Sequence, residues 1–443
     1  MIKQKNIYFI ILAGITVRNL LKSNYLNELS LKSNFKINVI TSKNLFDDDI
    51  AYPMINFIYV DSKVSLICKA LNAILRRRGH YVFPTMSSDI ILNKPLNSSI
   101  KIWASRYLVY PFPSSTLLFK ILHGIFLAFA AYLNPLKHKL FFSKDDIVVS
   151  TSPNNLVDLN CTSLAYKEKA TIICMIKSFD NTSSKGYFPV PGSKYFCWNS
   201  YMEDELNSIF NIKKENIFKI GVPQFDIYFD KNEEDNYLKR EFDIQNNNPI
   251  VLYATNHPEL GPDDVEIVHQ ISQLCNDINF VVRVHFMDEF SRWEKLGFAD
   301  NIFIQKPGKN ISLESDLRLI SNDFLYDLKQ TLYSSCLVLN TCSTITLDAL
   351  CSNKECILLA IDLKDRPYEK SVKRFYDLVH YKQILELDIF PVIESIKELE
   401  SSINKIVHNP NDRKEKINMD GIKLLTRSDY SVNQFLSAIE NIN

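Results

Sequence analysis

The stretch LVLNTCSTITLDAL, residues 337–350, combines residue types suited to a nucleoside diphosphate. A β-rich run ends near Asn340, and the hydroxyls of Ser343 and Thr344 lead into a predicted helix. Helix N-termini carry unpaired N–H groups and a positive dipole end, which suit phosphate, and either hydroxyl can cap the helix or bond a phosphate oxygen. Asp348 falls one turn later on the same face, where a carboxylate can accept hydrogen bonds from ribose hydroxyls. The alternative is an ordinary N-cap followed by a solvated aspartate.

A second group of candidates follows two other predicted strands of the same half. In FVVRVHF, residues 280–286, Arg283 and His285 alternate with apolar residues, so both are expected on one face. A cation and an imidazole there suit a phosphate-bearing donor. His257, in YATNHPE, closes an earlier strand and is expected in the same region. The alternatives are a salt-bridged arginine, a structural histidine and a plain turn at NHP.

A third group lies in the first half, where a buried strand ends in a dense polar cluster around Asp180 and Asn181. Such clusters are typical of functional loops. Asp180 can act as a general base on an acceptor hydroxyl, or it can fix the loop by Asx-type hydrogen bonds. Lys185 and Gly186 can likewise meet a phosphate or turn the chain.

Several chemistries lack their sequence signatures. The chain has ten glycines, with no GxGxxG after a strand, no GxxxxGK[ST], no HExxH and no GxSxG. Nicotinamide dinucleotide and P-loop chemistry are therefore unsupported. The acidic triplet Asp47–Asp49 is interpreted as a solvated loop, and neither a metal nor a cofactor is expected.

The elements that must position these residues alternate between strand and helix. Continuous apolar runs joined by helical segments predict parallel sheets covered on both faces. The fold class predicted is α/β, with two Rossmann-like, doubly wound domains facing a cleft. The predicted divisions are an acceptor-side domain (1–225), a polar linker (226–248), a nucleotide-donor domain (249–410) and a helical tail (411–443) that crosses back to the first domain.

Charge balance, cysteine content and one apolar segment limit the kinds of molecule and compartment that the protein is expected to meet. The 443 residues contain 51 Lys+Arg and 51 Asp+Glu, so no overall basic field exists to hold nucleic acid. Nine cysteines without a CxxC pair indicate reduced, mostly buried thiols in a cytoplasmic protein. The apolar segment 114–133 is flanked by basic residues, and it is interpreted as a buried helix, as a helix at an anionic membrane surface or as a membrane span.

The motifs taken together resemble those of GT-B glycosyltransferases, in particular bacterial surface-polysaccharide transferases and the related CDP-glycerol glycerophosphotransferases. The resemblance runs from about 147 to 362 and is carried by SFDNTSSKG (178–186), WN (198–199), Glu205, GVPQFD (221–226), LYATN (252–256), RVHF (283–286) and STITLDA (343–349). It departs from the family pattern at Phe179, Phe286 and Asp348, where Trp, Pro and Glu are usual. The N-terminal glycine loop of some relatives is reduced to Ala13-Gly14.

The resemblance implies a nucleotide donor in the C-terminal domain, with Ser343, Thr344 and His285 near its phosphates and Asp348 near its ribose. It also implies a lipid-linked or growing-glycan acceptor at the N-terminal domain, near the inner face of the membrane. We group Arg18 with Asn181 and Lys185 as acceptor-side or phosphate-contacting residues.

The function expected is metal-independent transfer of a sugar from a nucleotide sugar during surface-polysaccharide synthesis. Three rivals stay open. They are transfer of a polyol phosphate from a CDP-linked donor, epimerisation of a nucleotide sugar at C2, and a catalytically inactive binding subunit of an assembly complex.

Overall fold

The structure is a computed structural model, and it describes residues 5–45, 52–61, 63–88, 112, 114–229, 236–258, 260–285, 288–294, 296, 299–306, 324–408 and 431–442. The described chain forms two compact units. The first contains the residues up to Gln224 together with the last helix, and the second contains the residues from Phe225 to His408.

The first unit is built on a seven-stranded parallel sheet in the order β3-β2-β1-β4-β5-β6-β7. Its strands are β1 (Asn6–Ile11), β2 (Lys36–Thr41), β3 (Asn56–Tyr59), β4 (Ile147–Ser150), β5 (Thr171–Met175), β6 (Lys194–Cys197) and β7 (Ile217–Lys219). The chain winds outward from β1 to β3 and then returns to place β4 beside β1. Strand order therefore reverses between β1 and β4, which is where ligands of open α/β sheets bind.

Helices cover both faces of this sheet. They are α1 (Gly14–Thr16), which continues as a π-helical turn (Val17–Lys22), α2 (Tyr25–Lys32), α3 (Leu66–Val82), α4 (Thr116–Tyr132), α5 (Leu159–Lys167), α6 (Asn181–Ser184) and α7 (Ser200–Phe210). Alternation along β1 explains the two layers, because Phe9 and Ile11 join one buried cluster while Ile10 joins the other.

The second unit is built on a six-stranded parallel sheet in the order β10-β9-β8-β11-β12-β13. Its strands are β8 (Ile250–Ala254), β9 (Asn279–Arg283), β10 (Ile302–Gln305), β11 (Leu337–Asn340), β12 (Glu355–Leu359) and β13 (Val392–Ile393). Its helices are α8 (Tyr237–Glu241), α9 (Asp264–Leu274), α10 (Phe324–Ser334), α11 (Ile345–Cys351), α12 (Val379–Leu385) and α13 (Ile396–His408). Strand order reverses between β8 and β11. The predicted fold class of two doubly wound α/β domains is confirmed.

Three segments differ from their predicted form. Helical spacing in the sequence predicts one helix over 155–169 and one over 20–31. The first is a 3-10 turn (Leu156–Asp158) followed by α5, and the second is divided by Asn24, which has a φ of 63°. The polar segment 226–248 contains α8 and the end of a 3-10 turn (Pro223–Phe229). Its buried side chains, including Tyr228 and Leu238, anchor it in the second unit.

The last helix, α14 (Ser431–Glu440), belongs to the core of the first unit. The Phe435 ring is fully buried, and its centroid lies 5.6 Å from that of Phe9 and 5.2 Å from that of Phe196. Seven of the nine unbridged cysteines are buried. Within the described parts of the chain, no helix is both long and apolar enough to cross a membrane.

Candidate active site

The loop after β11 is held rigidly by the side chain of Asn340. This fully buried residue accepts hydrogen bonds through Oδ1 from the Ser343 backbone N (3.1 Å) and from Thr346 Oγ1 (3.2 Å). Cys342 has a φ of 41°, so the chain turns sharply between these anchors. Thr344 precedes α11 without a side-chain capping bond, and Ser343 is half-buried. The hydrogen bonds that hold this loop therefore use the Ser343 backbone and the Thr346 hydroxyl, and not the hydroxyls of Ser343 and Thr344, the two predicted phosphate ligands.

Asp348 lies on α11 and is oriented by a residue that the sequence analysis missed. The Tyr228 hydroxyl donates a hydrogen bond of 2.7 Å to Asp348 Oδ1. Burial, followed by the charge of Asp348, raises the pKa of Tyr228 well above its usual value, so the phenol stays protonated and donates. The sequence signal was the cluster of apolar residues in FDIYF, at 225–229, inside an otherwise polar segment.

The loop after β8 is joined directly to the loop after β11. Asn256 Nδ2 donates to the Thr341 carbonyl, and the Asn256 backbone N donates to Asp264 Oδ2 at 3.2 Å. Tyr253 OH donates to the other carboxyl oxygen of Asp264 at 2.9 Å. His257 follows this anchored pair, so the predicted ligands on two separate strand ends share one edge of the sheet. That edge is where the strand order reverses.

His285 adjoins His257, as the sequence predicted for the two strand ends. Their ring centroids lie 6.1 Å apart, and the His285 backbone N donates a 2.7 Å hydrogen bond to Thr255 Oγ1. Both side chains are half-buried. Two imidazoles at a sheet edge can donate hydrogen bonds to a phosphate while remaining accessible to it.

Arg283 is more deeply placed than the sequence indicated. Its side chain is only 6% exposed, donates from Nη1 to Gln305 Oε1 at 2.6 Å and stacks over Phe324 at 5.2 Å. Burial lowers the pKa of Arg283, and the charges of Asp327 and Glu241 partly oppose that shift. Nη2 has no hydrogen-bond partner in the described part of the chain. Nη2 of Arg283 can therefore donate a hydrogen bond to a ligand that reaches this buried position.

In the first unit, Asp180 is surrounded by donors. Its carboxylate accepts from Ser178 Oγ (2.7 Å), Asn181 Nδ2 (3.1 Å) and Ser184 Oγ (2.7 Å), and Lys185 Nζ lies 3.0 Å away. The structure therefore brings three predicted residues together, with Asp180 at the centre. Four donors fill the usual acceptor positions of a carboxylate, which favours the loop-fixing role that the sequence left open.

The motif residues around Asp180 form the support of this loop. Phe179 stacks on Trp198 with ring centroids 6.2 Å apart, and Trp198 Nε1 donates to the Ile176 carbonyl at 2.9 Å. Thr182 donates to the largely buried Glu205, and Asn199 caps α7 by accepting from the Met202 backbone N at 3.0 Å. These contacts hold the loop in place. Either Phe or Trp at position 179 can stack on Trp198, so the departure from the family pattern at this position keeps the contact.

A pocket opens at the carboxyl edge of the first sheet, beside the reversal point between β1 and β4. It contains about 250 Å³ of space, part of it open to solvent, and its lining includes Thr16, Asn19, Thr151, Lys177, Trp198 and Gln224. Arg18 borders it indirectly, since its Nε donates to Asn19 Oδ1 at 2.8 Å. Lys177 Nζ donates to Ser152 Oγ at 3.0 Å and supplies the cation of the pocket lining.

A buried carboxyl lies behind Lys177. Asp158 accepts from Ser150 Oγ and from the Ser152 backbone N, both at 2.8 Å. Burial raises the pKa of Asp158 to about 6, although these bonds and the charge of Lys177 oppose the shift. In the sequence, Lys177 belongs to the polar cluster around Asp180, and nothing there distinguishes it, because its position beside the pocket depends on the neighbouring strands.

No group of three or more metal-binding side chains occurs among the described residues. The triplet Asp47–Asp49 lies outside them. The arrangement that the structure does describe consists of hydrogen-bond donors, imidazoles and one carboxylate at the β8/β11 edge, and a cationic pocket at the β1/β4 edge.

The sequence and the structure were compared with known proteins, and the structural matches contain the same two-domain fold. A family model described as CDP-Glycerol:Poly(glycerophosphate) glycerophosphotransferase matches residues 192–319. No curated protein matches the chain. Among solved structures, a Listeria monocytogenes protein assigned as a UDP-N-acetylglucosamine 2-epimerase has a TM-score of 0.56 at 13% identity, covering 99% of this chain and 96% of that one.

Two further solved structures span both chains almost completely. A glycosyltransferase from Rickettsia africae has a TM-score of 0.54 at 12% identity, with 99% of each chain covered. Anabaena HepE, in complex with UDP and glucose, has a TM-score of 0.51 at 10% identity, again with 99% of each chain covered. At these identities the likeness shows the fold. The chain has the GT-B fold of glycosyltransferases and nucleotide-sugar epimerases. It resembles the CDP-glycerol glycerophosphotransferases over residues 192–319, which is part of the range of about 147–362 over which its motifs predicted this resemblance.

Proposed function

We propose that the protein transfers a sugar from a nucleotide-sugar donor to an acceptor hydroxyl in surface-polysaccharide synthesis. The observation that carries this proposal is the joined edge of the second sheet. There the Asn256–Thr341 hydrogen bond brings His257 and the Ser343–Thr344 loop together, and Tyr228 orients Asp348 nearby. Hydroxyl and imidazole donors suit a diphosphate, and an oriented carboxylate suits a ribose.

In the proposed reaction, the acceptor oxygen attacks the anomeric carbon, and the bond from that carbon to the β-phosphate oxygen breaks. The nucleoside diphosphate leaves with the bonding electrons. Donors from His257, His285, Ser343 and Thr344 would stabilise the charge that develops on it, without a metal. Arg283 would contribute through its buried positive charge and its remaining donor at Nη2.

Asp180 is the proposed base, and its contacts also support a positioning role, so the test must separate the two. Replacement by Asn keeps the shape but removes the charge. If Asp180 takes the proton, Asp180→Asn should lower kcat at least about a hundredfold with an unchanged melting temperature. If it orders the loop, activity and melting temperature should fall together. Ser184→Ala is the control, because it removes a 2.7 Å hydrogen bond to Asp180 in the same loop without removing a base.

The acceptor proposed is a lipid-linked or growing glycan that binds at the pocket of the first sheet. Support comes from the position of that pocket at the β1/β4 reversal and from its Lys177 side chain. We also propose that the protein works in the cytoplasm at the inner face of the cell membrane. Support for this comes from the apolar outward side of α4.

A second candidate is transfer of glycerol phosphate from CDP-glycerol, which the family match over 192–319 favours. The leaving group distinguishes the two reactions. Sugar transfer breaks a carbon–oxygen bond and releases a nucleoside diphosphate, whereas phosphoglycerol transfer breaks the diphosphate itself and releases CMP.

The first experiment is a thermal-shift screen of the protein against UDP, CDP, CMP, GDP and dTDP, since a ligand that binds only the folded state raises the melting temperature. Asp348→Ala should abolish the shift, and Asp365→Ala, at an exposed position of the same unit, should retain it. The nucleotide that binds selects the donors for turnover assays. A protein that binds none of these nucleotides would contradict the proposed donor site.

A further inference from the structure

The outward face of α4 is apolar. Ser115 caps the helix by accepting from the Leu118 backbone N at 3.3 Å, and Phe119, Phe126 and Ala130 bury its inner face. The exposed side chains recur at helical spacing and are Leu117 (69% exposed), Ile121 (51%), Ile125 (42%), Phe129 (39%) and Tyr132 (74%). A surface helix of a soluble domain normally presents polar residues on that side, so this face needs a partner.

The helix contains two ionisable residues, Lys120 and His123, and His123 faces inward. His123 Nε2 lies 2.9 Å from the Pro189 carbonyl oxygen, and burial lowers the pKa of His123, which favours the neutral ring. Lys120 is the one charged side chain on the outward face of α4, and it is exposed. The outward face is therefore apolar along its whole length, with a single cation near its start.

The neighbouring helix α3 extends this surface. It packs against α4 and exposes Leu66 (81%) and Ile67 (49%) at its start. Lys69 and Arg76 are exposed farther along it. Beyond the end of α4, Lys137 Nζ lies 5.8 Å from the ring centroid of Tyr132, and Phe141 is 68% exposed. We call the exposed side chains of α3, of α4 and of residues 137–141 the α3–α4 surface.

The charge of this region is one-sided. Residues 62–144 contain twelve Lys and Arg but a single acid, Asp89, whereas the whole chain has 51 of each sign. Asp89 lies outside the described residues, and the carboxylates nearest to the described residues of this stretch come from its borders and from Glu168, which accepts a 2.6 Å hydrogen bond from the Phe142 backbone N. A stretch this unbalanced attracts an anionic surface and repels a cationic one.

We propose that the α3–α4 surface lies flat on an anionic lipid bilayer. The apolar side chains of α4 enter the boundary between headgroups and acyl chains, and Lys69, Arg76, Lys120, Lys137 and Lys139 meet lipid phosphates. Neither α3 nor α4 contains an Asp or Glu, which favours an anionic bilayer over a protein partner, because a specific protein interface normally pairs charges of both signs. This proposal rests on the membrane location proposed above and names the surface responsible for it, and it does not depend on which transfer reaction the protein catalyses.

The test is sedimentation of the full-length protein with vesicles of phosphatidylcholine alone or mixed with phosphatidylglycerol. We expect binding to the mixed vesicles that weakens at high salt. The double change Ile121→Gln and Ile125→Gln removes two half-exposed apolar side chains and should lower the partition coefficient at least about tenfold. The control is Leu274→Gln, on α9 of the other unit, where Leu274 is 49% exposed and no change is expected.

A second variant, Lys137→Glu with Lys139→Glu, should lose binding to the mixed vesicles and leave nucleotide-induced thermal shifts unchanged. All four positions are exposed, so circular dichroism should show native folding in both variants. The proposal would be overturned if the wild type bound neither vesicle, or if the Ile variant bound as well as the wild type. It would also be overturned if sedimentation velocity without lipid showed that the same changes dissociate a dimer, since the face would then join two copies of the chain.

Discussion

Replacing Tyr228 by Phe removes one hydroxyl and keeps the buried ring. The hydroxyl donates a 2.7 Å hydrogen bond to Asp348 Oδ1, the carboxylate proposed to hold the ribose. Without that donor, Asp348 keeps its charge but loses the contact that orients it. Tyr228→Phe therefore tests whether the tyrosine acts on the nucleotide through Asp348 or only stabilises the fold.

The magnitude follows from the type of bond. Hydrogen bonds to charged groups contribute about 1.5–3 kcal/mol to stability. Asp348 is half-buried, so water can replace the lost donor, and the lower end of the range applies. A loss of about 1.4 kcal/mol corresponds to about a tenfold weaker nucleotide affinity if the bond is needed for ligand binding. The same loss in the unliganded protein would lower the melting temperature by roughly 3–5 °C.

Tyr52→Phe is the control for the loss of a tyrosine hydroxyl elsewhere in the protein. The Tyr52 hydroxyl donates a 3.2 Å hydrogen bond to the Leu21 carbonyl in the first unit, whereas the proposed nucleotide loops belong to the second. Both variants should lose comparable stability, but only Tyr228→Phe should weaken nucleotide binding measured by calorimetry at a temperature where each protein is folded. The positioning role is refuted if both variants bind nucleotide with wild-type affinity while Asp348→Ala does not.

Three other perturbations test the framework around the site. Burial raises the pKa of Asp264 from 3.8 to about 7, so the folded state holds a proton that the unfolded state releases, and stability should fall by up to about 4 kcal/mol as pH rises from 4 to 7. Asp264→Asn should flatten that part of the pH profile in denaturant titrations, and an unchanged slope would contradict the assignment. Asn256→Ala should lower nucleotide affinity about tenfold by freeing the loop that it ties to Thr341, and isothermal titration would disprove this by giving the wild-type constant. Gly79→Ala would place a methyl group 2.7 Å from the Gly186 carbonyl oxygen, so urea denaturation should show a loss of about 1–3 kcal/mol, and a neutral result would exclude that tight contact.

Much of the second unit could be predicted from sequence. Its strands are continuous apolar runs, and such runs joined by amphipathic helices fold into a covered parallel sheet. His257, His285 and Ser343 each follow a strand, so their arrival at one sheet edge follows from the fold class. The reversal of strand order between β8 and β11 then places them at the usual ligand position.

The roles of other residues could not be predicted in this way. Asp180 looked equally suited to catalysis and to loop fixing, and only the positions of Ser184 and Lys185 show how fully its oxygens are engaged. Arg283 was expected near an accessible phosphate, yet Phe324 and Gln305 enclose it. Tyr228 lies in a polar segment where its spacing from Asp348, 120 residues away, gives no signal.

The sequence by itself determined the fold class, the two β–α series and the charge imbalance of residues 62–144, because periodicity and composition are local properties. The tertiary structure decided which side chains are held together: Asn256 with Thr341, Tyr228 with Asp348, and Asp180 with its four donors. It also decided that His123 faces the core while Ile121 and Ile125 face outward. Hydrogen bonds and burial depend on partners brought from distant parts of the chain, and that proximity exists only after the strands have taken their order in the sheet.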